Sequence, residues 1–327
     1  MGFRLQSLLP LLLAPVFGSA QPDLVYYPLP DSFVHALTAR PDPGGADLTA
    51  WFNRLTGDTL EGSYCHALRA DLDEDPDTEV LLLLGGSSSY SNFCVIDRQA
   101  ERWVMIFLAP VAHHYSGLAI QVMSHPVPCR LFGLLMHEER GSGVFRDAWY
   151  GFRLIGGKVY PVMRVPHTAR ILGWGLNLNQ ICTADLTWQG WGDRWRVTCQ
   201  YQFFPGPWLP GSLPWEGSPG RTLISGSGYY ELEWDSAAHQ YRPAFSDEAF
   251  TRTQWLAFET FGSDSLFLAG FGAQLLEGME TGTRAHRRLV KAYLRQAASG
   301  SPGLTQLGET ESGMKFYGPS PGRRRKR

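Results

Sequence analysis

The chain is dominated by short apolar and aromatic segments that are separated by Gly, Pro, Asn and Asp, from about residue 23 to about residue 241. Segments such as VLLLLGG, RWVMIFLAPV and RWRVTCQYQFF are too short for capped globular helices, and several are rich in aromatic and branched residues. This pattern indicates strands joined by tight turns. A charged fraction of only 18%, with 36 Gly and 22 Pro, favours the same architecture. We therefore predict a mainly β domain over residues 21–245.

Two segments of the chain superpose without gaps. LTWQGWGDRWR, residues Leu186–Arg196, aligns with LEWDSAAHQYR, residues Leu232–Arg242, so that Trp195 corresponds to Tyr241. Each segment has a strand, a polar turn and a second strand that begins with an aromatic residue. The repeat favours a propeller-like or other hairpin-repeat all-β body, and a β-sandwich that contains two generic hairpins is the alternative.

The pattern changes after Ser246. Apolar residues recur at spacings of three and four, which predicts a small helical segment over residues 246–298. Thr281 or Thr283 is the expected N-cap of its last helix. Residues 299–327 are rich in Gly and Ser and low in apolar content, which predicts a disordered tail with a basic end, RRRKR.

The N-terminal segment has the features of a secretory signal peptide over residues 1–20. Arg4 precedes an apolar stretch from Leu8 to Phe17, and small residues lead to an expected cleavage after Ala20. The apolar stretch is shorter than the roughly 20 residues that span a bilayer. We expect a mature protein outside the cytoplasm, secreted or periplasmic, with no transmembrane span.

The stretch ADLDEDPDTEVLLLLGG, residues 70–86, carries carboxylates at alternate positions and then an apolar run. Calcium takes six to eight oxygen ligands, and a tight loop with alternating carboxylates can supply them. An ordinary solvated acidic turn is the alternative, because exposed like charges cost only about a few tenths of a kcal/mol per close pair. The candidate ligands are Asp71, Asp73, Asp75, Asp77 and Glu79.

This stretch resembles the calcium loop of FG-GAP and VCBS-type β-propeller repeats, whose pattern D-x-D-x-D-G-x-x-[DE] is followed at once by a buried apolar strand. Here Val80–Leu84 supplies that strand. The chain departs from the pattern at Pro76, where the repeats have Gly. The resemblance implies a propeller with a calcium ion and an extracellular adhesion or ligand-binding role.

The residues supply no complete catalytic motif. His137 begins the segment HEER, but a zinc-protease helix needs a second His where this chain has Gly141. The GxSxG elbow of serine hydrolases is absent. Glu138, Glu139 and Asp147 are candidate acid/base groups whose pairing depends on distances in space. We expect a non-enzymatic binding or structural module, and an extracytoplasmic hydrolase of a polysaccharide or peptide is the alternative.

Tryptophan is concentrated in one part of the chain, since eight of the 11 residues lie between positions 174 and 255. The Pro-rich loop FFPGPWLPGSLPWEG presents Trp208 and Trp215 as candidate ligand-binding residues. Aromatic faces of this kind stack on sugar rings or on peptides, although most Trp residues in proteins serve packing.

Five cysteines occur without a CxxC spacing, so the sequence gives no support to zinc or thioredoxin-like chemistry. Cys182 and Cys199 are candidates for a disulfide between neighbouring strands in an oxidising compartment. The basic end, Arg323–Arg327, offers a further alternative: attachment to an anionic envelope or to nucleic acid, of which nucleic acid is the less favoured. A solvated tail that only aids solubility is the simpler explanation.

Overall fold

The computed structural model of the chain describes residues 27–29, 31, 34–35, 50, 53–54, 64–73, 75, 77–85, 90–99, 101–112, 120–123, 131–141, 143–172, 176–190, 193–206, 222–246, 248–298, 304–309 and 315–319. Some features singled out above lie outside these residues: the signal segment 1–20, Pro76, Trp208, Trp215 and Arg323–Arg327.

The described residues form a mainly β fold with two large antiparallel sheets and a small C-terminal set of helices, which confirms the predicted fold class. The first sheet has five strands in the order β1-β5-β4-β3-β2. Its strands are β1 (Tyr27–Leu29), β2 (Tyr64–Ala70), β3 (Glu79–Gly85), β4 (Tyr90–Gln99) and β5 (Arg102–Ala112).

Strand β3 explains why the acidic stretch is followed by an unbroken aliphatic run. Leu81 and Leu83 enter one core cluster, whereas Val80, Leu82 and Leu84 enter another. Because alternate side chains of a strand point to opposite faces, a strand that is covered on both faces needs a continuous apolar sequence. The run after Glu79 is therefore the buried centre of this sheet.

The second sheet has eight strands that follow one another in chain order, so that every connection joins neighbouring strands. This arrangement is the hairpin succession that the turn-rich sequence predicts. Its strands are β6 (Ile120–Met123), β7 (Leu131–Gly141), β8 (Val144–Ile155), β9 (Lys158–Ile171), β10 (Leu178–Trp188), β11 (Arg194–Pro205), β12 (Ile224–Asp235) and β13 (Gln240–Ala244).

The two segments that align in sequence are hairpins in the structure. The first joins β10 to β11 and the second joins β12 to β13. The corresponding residues Asp193 and His239 both have left-handed backbones, with φ of 54° and 49°, and each directly precedes the returning strand. The sequence repeat thus reflects a shared turn geometry. The propeller resemblance remains a prediction.

The chain divides into two compact units. The first unit comprises Met1–His137, Ala148–Arg164 and Asp235–Gln240. The second comprises Glu138–Asp147, Val165–Trp234 and Tyr241–Arg327, so the C-terminal helices belong to it.

The C-terminal helices are α1 (Arg252–Glu259), α2 (Asp264–Thr281) and α3 (Arg284–Ala298). Thr251 caps α1 in a capping box with Gln254. The hydroxyl of Thr283 accepts a hydrogen bond from the backbone N–H of His286 at 3.2 Å, which makes Thr283 the cap of α3. None of the described helices combines the length and the apolarity needed to cross a membrane.

The part of the C-terminal tail that the structure describes contains two strands. Strand β14 (Leu304–Glu309) pairs antiparallel with β15 (Lys315–Pro319) across a register shift between Gln306 and Gly308. Although the tail is poor in apolar residues as a whole, the KFYGP segment holds two aromatic residues with high strand propensity.

Candidate metal site

The acidic stretch is the loop of the hairpin that β2 and β3 form. The ladder ends at the pair Ala70 and Glu79, so the intervening residues make the turn. Leu72 is fully buried in the main core cluster of the first unit. Its backbone N–H donates a hydrogen bond to Oε2 of Glu79 at 2.5 Å. These two anchors hold Asp71 and Asp73, the neighbours of Leu72, close to Glu79.

Three carboxylates of this loop come together. Asp71, Asp73 and Glu79 each offer an oxygen, and the three oxygens lie within 4.8 Å of one another. Asp71 and Asp73 are half-buried, and Glu79 is fully buried. This group could hold a metal ion. All its donors are carboxylate oxygens, which suits hard cations.

Glu79 is the unusual member of the group. Its Oε1 is buried and has no hydrogen-bond partner among the described residues. Burial raises the pKa of Glu79 to about 8; the Leu72 N–H opposes this shift, and the charges of Asp73 and Asp97 add to it. Burial also raises the pKa of Asp73. A buried carboxylate with a free oxygen costs stability unless it is protonated or meets a cation.

Asp97 is a fourth carboxylate, which the sequence did not indicate. Val80 of β3 pairs with Ile96 of β4, so the next residues, Glu79 and Asp97, lie opposite each other across the two strands. Asp97 is 5% exposed. Its Oδ2 accepts a hydrogen bond from Nε2 of Gln99 at 3.0 Å, whereas its buried Oδ1 has no partner among the described residues. The signal that could have revealed it is an acid at the end of a buried strand.

The other two predicted ligands are engaged elsewhere. Asp75 is exposed, and its Oδ1 accepts a hydrogen bond from the backbone N–H of Asp77 at 2.7 Å. The Asp77 carboxylate lies 3.4 Å from the guanidinium of Arg98, which also pairs with Glu101 at 2.8 Å. The structure thus assembles three of the five predicted side chains and leaves Asp75 and Asp77 outside the group.

The predicted disulfide is not formed, because Cys182 and Cys199 are thiols. Cys182 pairs with Tyr201 and Cys199 with Ala184, so the cysteines are diagonal rather than directly opposite on β10 and β11. Diagonal neighbours lie roughly 7–8 Å apart, beyond the usual span of a disulfide. A hydrogen bond with Cys182, together with burial, raises the pKa of Cys199.

The candidate acid/base groups of the hydrolase alternative are engaged with other side chains. Arg146 lies 3.3 Å from the carboxylate of Glu138, 4.0 Å from that of Glu139 and 3.6 Å from that of Glu259 on helix α1. Asp147 accepts a hydrogen bond from the hydroxyl of Thr168 at 2.9 Å, so this side chain also has a partner. The acids around Arg146 form an ion-paired cluster, which favours a structural role.

A shallow depression of about 360 Å³ crosses strands β10, β11 and β12. The strand register explains this depression, because it places residues of the three strands next to one another on one face of the sheet. The residues that β12 contributes are small: two serines and Gly226. This depression could not be predicted from the sequence, because its residues come from three strands. Its lining side chains are Ile181, Thr183, Gln200, Gln202, Ser225 and Ser227.

No protein-family model, no curated protein and no solved structure matches this chain.

Proposed function

We propose that this protein is a calcium-stabilised, non-enzymatic binding module that acts outside the cytoplasm. The observation that carries the proposal is the buried Oε1 of Glu79, which has no partner among the described residues and lies beside the carboxylates of Asp71 and Asp73. The secretory features of residues 1–20 support the location.

The electrostatics of the loop support a bound cation. Asp71, Asp73, Glu79 and Asp97 bring four carboxylates to one end of the β2–β3–β4 ladder, and two of these residues are buried. Their mutual repulsion and the desolvation of Glu79 oppose ionisation. A divalent ion removes both costs at once, because it replaces the lost hydration and neutralises the charge.

The donor set supports calcium among the divalent ions. Zinc and copper favour His or Cys ligands, and the group contains neither. Magnesium demands near-ideal octahedral geometry and retains water, whereas calcium accepts a variable set of carboxylate oxygens. A calcium ion at this place joins the hairpin loop to strand β4, and its role is to stabilise the first unit.

The test is a thermal melt of the protein in excess chelator, in calcium and in magnesium. At a calcium concentration about 100 times the dissociation constant, binding to the native state adds about 2.7 kcal/mol to the free energy of unfolding. Asp73→Asn removes one ligand of the group with little change in shape. Asp75→Asn is the matched control, because Asp75 lies in the same loop but outside the group.

We expect calcium to raise the melting temperature of the wild type and of Asp75→Asn, and not that of Asp73→Asn. Equal responses in the two variants would contradict the ligand assignment. The absence of any calcium response in the wild type would leave the loop as an ordinary acidic turn and remove the proposal.

For the ligand we propose a neutral glycan or peptide that binds in the depression on β10–β12. The hydroxyl and amide groups of Thr183, Gln200, Gln202, Ser225 and Ser227 are uncharged donors and acceptors, which suit hydroxyl-rich or amide-rich ligands. Trp208 and Trp215 remain candidates for the same role from the sequence alone.

A panel of neutral oligosaccharides and unmodified peptides tests this assignment. Ser227→Phe fills the depression, and Ser236→Phe places the same side chain on an exposed turn as the control. Binding that is lost in the first variant and kept in the second supports the assignment. Unchanged binding by Ser227→Phe contradicts it, and turnover of any panel member contradicts a non-enzymatic role.

A further inference from the structure

Helix α3 carries an exposed basic face. At about 100° per residue, its five basic side chains fall within an arc of about 100° around the helix axis. The helix contains no Asp or Glu. The members of this α3 basic face are Arg284, Arg287, Arg288, Lys291 and Arg295, each of them exposed.

The charge of the α3 basic face is not compensated within the described part of the chain. None of its five side chains forms an ion pair with a described residue. Two arginines outside the helices show the contrast: the half-buried Arg98 pairs with Asp77 and Glu101, and the exposed Arg194 pairs with Glu233 at 2.7 Å. A row of uncompensated cations gives this surface a positive potential that attracts anions.

The opposite side of α3 fixes the direction of the basic face. Val290 and Tyr293 are buried. The Tyr293 hydroxyl donates a hydrogen bond to Oδ1 of Asp264 at 2.8 Å, and its ring meets that of Phe267 edge-on at 5.7 Å. The apolar side of α3 is therefore already packed on α2. The exposed part of α3 is dominated by its cations, which suits a partner that is held by charge.

Helix α2 adds an apolar element to this surface chemistry. No charged residue occurs between Asp264 and Glu277, and Ala269 and Ala273 are exposed. Leu276 is 59% exposed, the large hydrophobic side chain that stands out among the described residues. Glu277 and Glu280 follow Leu276 and are also exposed, so the apolar part of this helix surface ends at Leu276. A partner that is anionic at its surface and apolar just beneath matches the α3 basic face and Leu276.

We propose that the helical segment binds an anionic phospholipid surface through the α3 basic face, with Leu276 adding apolar contact at the lipid interface. Clusters of about four to eight basic residues on an amphipathic helix are typical of binding to anionic headgroups. Single-stranded nucleic acid is less well matched, because the basic face carries no aromatic side chain on which bases could stack, and duplex DNA is tested as a competitor.

Vesicle co-sedimentation of the full chain tests this proposal. The probes are vesicles of phosphatidylcholine alone and vesicles of phosphatidylcholine mixed with phosphatidylglycerol. The double variant Arg288→Gln with Lys291→Gln removes two charges from the centre of the face. The matched control, Arg102→Gln with Arg194→Gln, removes two exposed charges elsewhere, and thermal melts verify that both variants are folded.

We expect binding to the anionic vesicles only, and weaker binding as salt shortens the screening length to about 10 Å at 0.1 M. The α3 double variant should bind about fivefold more weakly for each charge removed, or roughly thirtyfold in all. The control variant should bind like the wild type. Leu276→Ser should also weaken binding while leaving every charge in place.

The proposal would be overturned by wild-type affinity in the α3 double variant, by equal binding to both kinds of vesicle, or by displacement of the vesicles by duplex DNA at lower concentration. A chain that ends at Gly322 shows whether Arg323–Arg327 carries the binding instead, which would also overturn it. Asp73→Asn should bind vesicles normally, so the calcium and lipid proposals fail separately.

Discussion

The backbone N–H of Leu72 donates a hydrogen bond to Oε2 of Glu79 over 2.5 Å, across seven residues of chain. This bond satisfies one oxygen of a fully buried carboxylate, while Oε1 has no partner among the described residues. The carboxylate that closes the loop therefore has a hydrogen bond at only one of its two oxygens. A cation that meets Oε1 would complete the set of interactions, and the consequences are measurable.

The first prediction concerns pH in the presence of a chelator. Burial raises the pKa of Glu79 from 4.5 to about 8, so the folded chain holds this proton more tightly than the unfolded chain does. The free energy of unfolding should therefore fall as pH rises between these two values, by at most about 1.4 kcal/mol per pH unit from this group. Urea unfolding across this range measures the slope.

Glu79→Gln is the control for that slope. The amide keeps an oxygen for the Leu72 N–H but does not titrate, so the variant should lose the contribution of this group. Identical pH slopes in the wild type and the variant would show that Glu79 titrates alike in the folded and unfolded chains. Calcium should reduce the slope in the wild type, because the ion binds the ionised carboxylate.

The second prediction concerns Asp97. Asp97→Asn should weaken calcium binding by about 10- to 100-fold, the range typical of groups that support metal ligands. Calorimetric titration measures the affinity. Asp77→Asn is the control, because Asp77 pairs with Arg98 and lies outside the group. A larger loss of calcium affinity in Asp77→Asn than in Asp97→Asn would contradict this prediction. It would favour the ligand set that the sequence pattern predicts, which includes Asp77 and not Asp97.

The third prediction concerns the repeated hairpins. Nε1 of Trp195 donates a hydrogen bond to the hydroxyl of Tyr241 at 3.2 Å, and that hydroxyl donates to Oδ1 of Asp193. Trp195 and Tyr241 are the equivalent residues of the two segments, so this hydrogen bond joins the two hairpins. Tyr241→Phe should lower the free energy of unfolding by about 1–3 kcal/mol, because it leaves a buried indole N–H without its partner.

Tyr229→Phe is the matched control for the loss of the Tyr241 hydroxyl. The ring of Tyr229 lies 4.1 Å from the guanidinium carbon of Arg196, and phenylalanine keeps this ring. Tyr229 is half-buried and its hydroxyl takes no part in the hydrogen bonds that join Trp195, Tyr241 and Asp193, so we expect a change within about 0.5 kcal/mol. Equal losses in the two variants, measured by urea unfolding, would show that the Tyr241 hydroxyl has no special role.

The fourth prediction concerns the cysteines. Cys182 and Cys199 should both be alkylated when the protein is unfolded in denaturant without reductant, since they are thiols. In the folded protein both should react slowly with disulfide reagents, because they are buried and the pKa of Cys199 is raised. Peptide mass spectrometry reads out both results. A linked peptide that contains both residues would refute the assignment.

Local sequence signals predicted much of the fold. The hairpins at Leu186–Arg196 and Leu232–Arg242, the helical segment after Ser246 and the Thr283 cap all depend on residues that are close in the chain. The acidic loop was also visible, because Asp71, Asp73 and Glu79 lie within one turn between two strands. Such features need no knowledge of long-range pairing.

The missed features all depend on strand register or on distant contacts. Asp97 reaches the acidic loop only because Val80 pairs with Ile96, and Cys182 misses Cys199 because the ladder places Tyr201 opposite it. A shift of register by one residue would reverse the faces of these side chains. The prediction of five ligands assumed a regular calcium loop. In the structure, the carboxylate of Asp75 instead accepts a hydrogen bond from the backbone N–H of Asp77.

The central claim is tested most directly by calorimetric titration of calcium into chelator-stripped protein. We expect one site per chain in the wild type, tighter binding as pH rises through the Glu79 titration, and no measurable site in Asp73→Asn or Glu79→Gln. Heat of binding that is absent in the wild type, or that persists unchanged in both variants, would contradict the assignment of Asp71, Asp73 and Glu79 as a calcium site.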